Sequence, residues 1–254
     1  MGLAFRVIAR LDVKGSHLIK GWQFEGLRKI GDPATFARKY ADEGADELLF
    51  LDTVASLYGR AAILEIIERT AQDVFIPLTV GGGIRTLADI RSLLAAGADK
   101  VAINTAAIRE PTIIRRAVDC VGSQAICVSV EAKRVNGNGG TPRWEAYTDQ
   151  GRNPSGLDAL EWCDEAARRG AGEILLTSID RDGTRRGADM ALALATAALG
   201  LRVPLVVCGG VGTPAHAVEA AVGTGVAIGA ALHNGSTSIP AVKAALAAAG
   251  REVR

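Results

Sequence analysis

The sequence predicts a closed eight-stranded (β/α)8 barrel. Three observations predict it: the chain length, an alternation of strand-like and helix-like segments, and an internal repeat. The chain has 254 residues, close to the roughly 250 that one such barrel takes. Its first half, about 1–122, resembles its second half, about 123–254. LDVK (11–14) parallels VEAK (130–133), ELLFLD (47–52) parallels EILLTS (173–178), and LTVGGGIRTLADIRSLLAAG (78–97) parallels LVVCGGVGTPAHAVEAAVG (205–223). A four-strand half, duplicated and closed on itself, accounts for that pattern in a single domain spanning 1–254.

The elements follow in order. Apolar, β-branched runs mark strands at 5–12, 47–52, 75–80, 100–103, 124–131, 173–179, 204–208 and 226–230, each followed by a helical segment. Asp32-Pro33 and Thr213-Pro214 read as an N-cap with proline in the first helical position, and Thr86 caps LADIRSLLAAG. An open doubly wound sheet would carry a glycine fingerprint after its first strand, which this chain lacks. One segment breaks the rhythm: 134–156, rich in Gly, Asn and Pro, is expected to be a flexible excursion after the fifth strand.

Composition narrows the function. Apolar residues make up 48%, and the formal net charge is +1, so no basic surface points to nucleic acid. No apolar run approaches the roughly 20 residues of a membrane span. The four cysteines show no metal-like spacing, which predicts reduced core thiols in a cytoplasmic protein without metal or cofactor.

In such barrels chemistry sits where strands end and the following loops begin. Two features fall there. Glycines at GGGI (81–84) and GGVG (209–212), with Asn104-Thr105 and Gly229-Ala230 after the fourth and eighth strands, form two clusters in matching places. Small residues at helix N-termini let backbone N–H groups reach an anion, so the clusters predict a ligand with two phosphates; tight turns alone would also use these glycines. The second feature is a pair of carboxylates, Asp12 and Glu131, ending opposite strands. Facing carboxylates can divide acid and base roles; salt bridges with Lys14 or Lys133 are the other reading.

These residues carry a resemblance. LDVKG, FEGLRKIGDP, DELLFLD, IPLTVGGGIRT, GADKVAINTAA, EAKR, GAGEILLTSIDRDGT and GGVG are similar to motifs of the cyclase subunit of imidazole glycerol phosphate synthase, from Phe5 to Arg254. The resemblance implies a lyase of histidine biosynthesis. Its substrate would be a bis-phosphorylated ribulosyl-formimino imidazole carboxamide ribonucleotide, which with ammonia gives imidazole glycerol phosphate and aminoimidazole carboxamide ribonucleotide. It also implies a partner glutaminase at the N-terminal face of the barrel. By position, Asp12 and Glu131 stand as the catalytic pair and Lys20 as the lysine of a loop closing over substrate. Gly83, Asn104 and Thr105 form one phosphate site, and Asp182, Gly183, Gly210, Gly229 and Ala230 the other. Arg6, Glu47, Lys100 and Glu173 correspond to a charged ring at the ammonia entrance, which as residues alone could equally be a salt-bridge network.

The chain departs from that family at its chemical centre. Glu131 stands in place of an aspartate, Arg10 in place of a small residue, usually cysteine, and Ala230 lacks a serine hydroxyl. Strand alternation sends Arg6, Arg10 and Asp12 to the same side, so Arg10 is expected inside the barrel. A buried guanidinium needs a partner. An Arg10–Glu131 pair that blocks the ammonia path is the expectation. The alternatives to the family reaction are a diverged paralogue acting on a related phosphoribosyl compound without tunnelled ammonia, and a non-catalytic phosphate sensor or glutaminase partner.

Overall fold

A computed structural model describes residues 4–23, 25–53, 57–136 and 142–254. Eight parallel strands form the barrel: β1 (Arg6–Lys14), β2 (Glu47–Asp52), β3 (Leu78–Gly81), β4 (Lys100–Ile103), β5 (Ile126–Asn136), β6 (Glu173–Ser178), β7 (Leu205–Cys208) and β8 (Gly225–Ile228). Each pairs with the next, and the β5–β6 and β8–β1 pairings close the ring. All eight overlap the segments expected from the sequence, with ends shifted: residues 75–77 precede β3, and Ala230 already opens the helix after β8. β3 and β7 begin after Pro77 and Pro204, residues with no N–H to give a strand ladder.

Alternation along β1 sorts its side chains. Val7, Ala9, Leu11 and Val13 join the large core between strands and helices, whereas Ile8 joins Leu49, Ala102, Cys127, Leu175, Val206, Cys208 and Ala227 inside the barrel. Helix starts are fixed by side chains. Asp32 accepts from Thr35 N–H ahead of Pro33–Asp42. Thr86 and Asp89 form a capping box on Leu87–Ala95, and Thr213 caps Pro214–Glu219.

The halves repeat in backbone detail. Asn104 after β4 has φ −125° and ψ −86°; Gly229 after β8 has φ −120° and ψ −81°. Thr86 and Thr213 share φ near −135° and ψ near 162°. The excursions also match, because β1 and β5 each continue past the barrel rim into antiparallel hairpins. β1 pairs with His17–Trp22, which pairs with Glu25–Gly31. β5 pairs with Pro142–Thr148, which pairs with Asn153–Asp158. The expected flexible excursion is thus largely paired sheet. Its Trp144 and Ala146 are buried against the core, which Gly and Pro content hides. Residues 137–141 of that segment lie outside the described residues.

No described helix is long and apolar enough to cross a membrane. Cys127, Cys163 and Cys208 are buried free thiols and Cys120 is partly exposed.

Candidate active site

Two polar layers cap the apolar barrel interior. At the N-terminal end Arg6 bridges Glu47 (2.6 Å) and Glu173 (2.7 Å), and Lys100 bridges the same two carboxylates (2.8 and 3.0 Å). The four residues expected as a ring close into one. Burial opposes every charge there, but the pairing overrides it: the Lys100 and Arg6 pKa values rise and that of Glu47 falls. Above the ring, Ile8, Leu49, Cys127, Leu175 and Val206 pack together and leave a void of about 10 Å³, room for about one water.

At the strand ends the second layer centres on Arg10, which is only 2% exposed. Its Nε donates to Asp12 Oδ1 at 2.8 Å, and its Nη1 donates to Asp182 Oδ1 and Cys208 Sγ, each at 3.2 Å. Lys20 Nζ donates to Asp12 Oδ2 at 2.5 Å and to Asp182 Oδ2 at 3.2 Å. Two buried cations and two buried carboxylates thus form a compensated cluster, the condition for keeping charge away from water. Burial alone would raise the Asp12 carboxyl, but the Arg10 guanidinium and the Lys20 ammonium hold it well below the usual carboxylate range. Burial would lower Lys20; its two carboxylates hold it above its ordinary value instead.

The expected Arg10–Glu131 pair does not form. Asp12 is two residues along the same strand and on the same side, so it reaches Nε without spanning the mouth. Asp182, on the loop after β6, takes Nη1. Glu131 Oε2 instead accepts the Gly151 N–H at 2.8 Å. Burial pushes the Glu131 carboxyl up to about 7, opposed by the charge of Arg10 and the Gly151 bond.

Glu131 faces a cavity of about 310 Å³. Gly83, Asn104, Thr105, Arg85 and Arg109 line it with Asp12, so the first expected phosphate cluster and both expected catalytic carboxylates share one chamber. Asn104 Nδ2 donates to Tyr147 O at 3.1 Å, and Thr105 Oγ1 accepts from Asp149 N–H at 3.0 Å. The second cluster is tighter. Gly183, Gly210, Gly229 and Ala230 line a void of about 10 Å³, and Arg10 lines both spaces. Asp182 belongs to this lining, yet its carboxylate is turned to Arg10 and Lys20. It holds Arg10, the cation that faces the cluster, since one anion would repel another.

The glycines differ in what they serve. A Cβ on Gly183 would sit 2.3 Å from Gly21 O, so that glycine lets the Lys20 hairpin dock on the β6 loop. Gln23 N–H donates to Asp182 O across the same contact at 2.8 Å. Lys20 thus lies on a strand, not on an irregular loop. Gly210 has φ +94°, and its Cβ would fall 2.1 Å from Gly187 O. Gly229 has no such need: its twin Asn104 carries a side chain at the same dihedrals. Gly210→Ala is therefore expected to cost about 1–3 kcal/mol of stability. Gly229→Ala should fold nearly as the parent does and weaken anion binding selectively. Thermal unfolding with phosphate titration separates the two.

Sequence reasoning missed Asp149, Gln150 and Gly151, which turn into the chamber with φ of 50°, 61° and 71°. Gln150 Nε2 donates to Asp52 O at 3.0 Å, and Asp149 pairs with Arg109 at 3.0 Å. The signal was a polar Asp-Gln-Gly step between alternating strands, a hairpin turn aimed at the mouth.

Asp12, held low by two cations, and Glu131, raised by burial, thus share one chamber at the strand ends of a (β/α)8 barrel, the end at which such barrels carry their sites. A family model described as histidine biosynthesis protein matches residues 6–238. The chain belongs to that family, whose members are histidine-biosynthesis enzymes of isomerase and cyclase type.

Proposed function

We infer that this chain is a cyclase-type lyase that acts on a bis-phosphorylated ribulosyl-formimino imidazole carboxamide ribonucleotide. It takes ammonia and releases imidazole glycerol phosphate and aminoimidazole carboxamide ribonucleotide. The observation that carries acid–base chemistry is the separation of the two carboxylates: Asp12 is held ionised, while Glu131 is poised near neutrality in the same chamber. The motif resemblance favours the cyclase over the isomerase. The reading places one phosphate at Gly83, Asn104 and Thr105. The other lies at Gly183, Gly210 and Gly229, where Arg10 supplies a donor that Ala230 does not.

The roles follow from the charges. A group that exchanges a proton works best with a pKa near the working pH, which fits Glu131. Asp12, tied to two cations, is a fixed anion that aligns Lys20 and stabilises positive charge developing on the ligand. A second reading, a diverged paralogue that takes no tunnelled ammonia, is favoured by the packed bore below Arg10. A glutaminase at the charged ring belongs to the first reading only.

Turnover of the family substrate with ammonium salt supplied directly tests the reading. Formation of both products supports it, and binding without turnover of that substrate would sink it. Glu131 also predicts a pH effect. Its pKa is raised on folding, so the folded state favours the protonated form. Stability should fall as pH rises from the ordinary glutamate value, about 4.3, towards about 7, and then level off. Glu131→Gln should remove that slope and be more stable than the parent at pH 8, on the order of 1–3 kcal/mol. Denaturant unfolding across pH 5–8 reads both; an unchanged slope would show that Glu131 does not titrate there.

A further inference from the structure

Outside the barrel mouth, between the Lys20 hairpin, the β5 extension and the loop after β6, lies a separate cavity of about 430 Å³. Its lining includes Trp22, Arg134, Arg181, Arg186, Asp180 and Asp189, and it shares no residue with the two strand-end spaces. The volume falls in the range of roughly 300–1,000 Å³ typical of small-molecule sites.

Its charges are arranged for an anion. The Arg186 guanidinium lies over the Trp22 ring at 5.5 Å, and the Arg134 guanidinium lies over the Trp144 ring at 5.5 Å. Among the described residues, none of the three guanidiniums lies within ion-pair distance of a carboxylate. The two acids in the lining are held by neutral donors. Asp180 Oδ2 accepts the Arg134 backbone N–H at 2.8 Å. Asp189 accepts the Trp144 indole N–H at 3.0 Å and the Leu192 N–H at 3.2 Å, the latter as a helix cap. Three cations therefore outnumber two anions, and two of the cations, Arg134 and Arg186, rest on aromatic faces. A guanidinium stacked on a ring is pre-organised and keeps its outward N–H fork for phosphate oxygens. Trp22 is 44% exposed, a large ring left at the cavity edge, where a planar partner can stack.

We propose that this cavity is a second ligand site for a nucleoside diphosphate, with the pyrophosphate among Arg134, Arg181 and Arg186 and the base against Trp22. An occupant would also brace the hairpin tip. Gln23 Nε2 already donates to Asp180 O at 2.7 Å, and a ligand spanning Trp22 and Arg181 would add to that contact and hold Lys20 over Asp12. The site does not depend on which reaction the mouth performs.

The test is titration of the full chain with ADP, inorganic pyrophosphate and adenosine, read by calorimetry and tryptophan fluorescence. ADP should bind saturably, and both pyrophosphate and adenosine at least about tenfold more weakly. Affinity should fall as salt rises. Arg181→Ala/Arg186→Ala, at a half-buried and an exposed position outside the core and so expected to fold, should weaken ADP by at least about tenfold. Trp22→Leu should remove the advantage of ADP over pyrophosphate. No saturable binding at millimolar ADP would overturn the site. ADP binding unchanged in the double variant would overturn it too, by moving the ligand to the mouth. Equal binding of pyrophosphate and ADP by the parent would overturn the nucleotide assignment.

Discussion

Asp12→Asn is expected to lower turnover of the family substrate by about 10²- to 10³-fold, the loss of one fixed charge in the site, while the barrel still folds. The substitution keeps the shape of the side chain but removes the charge that Arg10 Nε and Lys20 Nζ both address. Asp182 would then face two buried cations alone, so Lys20 should lose its fixed position over the mouth. The pH profile separates this role from proton transfer. If Glu131 exchanges the proton, the limb near pH 7 in kcat survives in Asp12→Asn at reduced amplitude and vanishes in Glu131→Gln. A profile whose limb vanishes in Asp12→Asn and persists in Glu131→Gln would exchange the two roles. Unchanged turnover would remove Asp12 from the mechanism.

The barrel was legible in the sequence because each half obeys the same local rules. Strand alternation sorts β1 residue by residue, and Thr86, Thr213 and Asp32 cap the helices whose starts they mark. The charged ring came from the family resemblance; in the fold it closes because each of its four residues opens a strand at the same end of the barrel. What the sequence hid was choice among partners. Arg10 was placed inside the barrel, but three carboxylates lay within its conceivable reach. The selection of Asp182 over Glu131 depends on a loop docked by the Gly21–Gly183 contact. Such a backbone approach leaves no pattern along the chain. The Gly151 N–H on Glu131 was hidden for the same reason: it arrives from a hairpin tip twenty residues away.

Arg10→Cys is the second large effect. Removing one partner of a buried charge cluster typically costs 3–5 kcal/mol. Lys20 still contacts both carboxylates here, so a loss of about 3 kcal/mol is expected. The pH dependence has a definite sign. The folded Asp12 carboxyl titrates below its ordinary value, so the cluster's stabilisation is complete above about pH 4. It is lost as pH falls through the folded value. Without Arg10 that acid limb should shift upward, towards the unfolded carboxylate. The same substitution bears on ammonia. Arg10 lies roughly 6–7 Å below Asp12 along its strand, between the chamber and the apolar layer, where a void holds about one water. Its head group reaches inside the barrel from β1 past β8 to Cys208 on β7. With a cognate glutaminase, Arg10→Cys should therefore raise glutamine-dependent turnover relative to ammonium-dependent turnover, once enough folded protein is present. Arg10→Cys/Glu131→Asp, which sets both positions to the family residues, should widen that ratio. Efficient glutamine-coupled turnover by the parent chain, unchanged by either variant, would show that Arg10 does not obstruct ammonia.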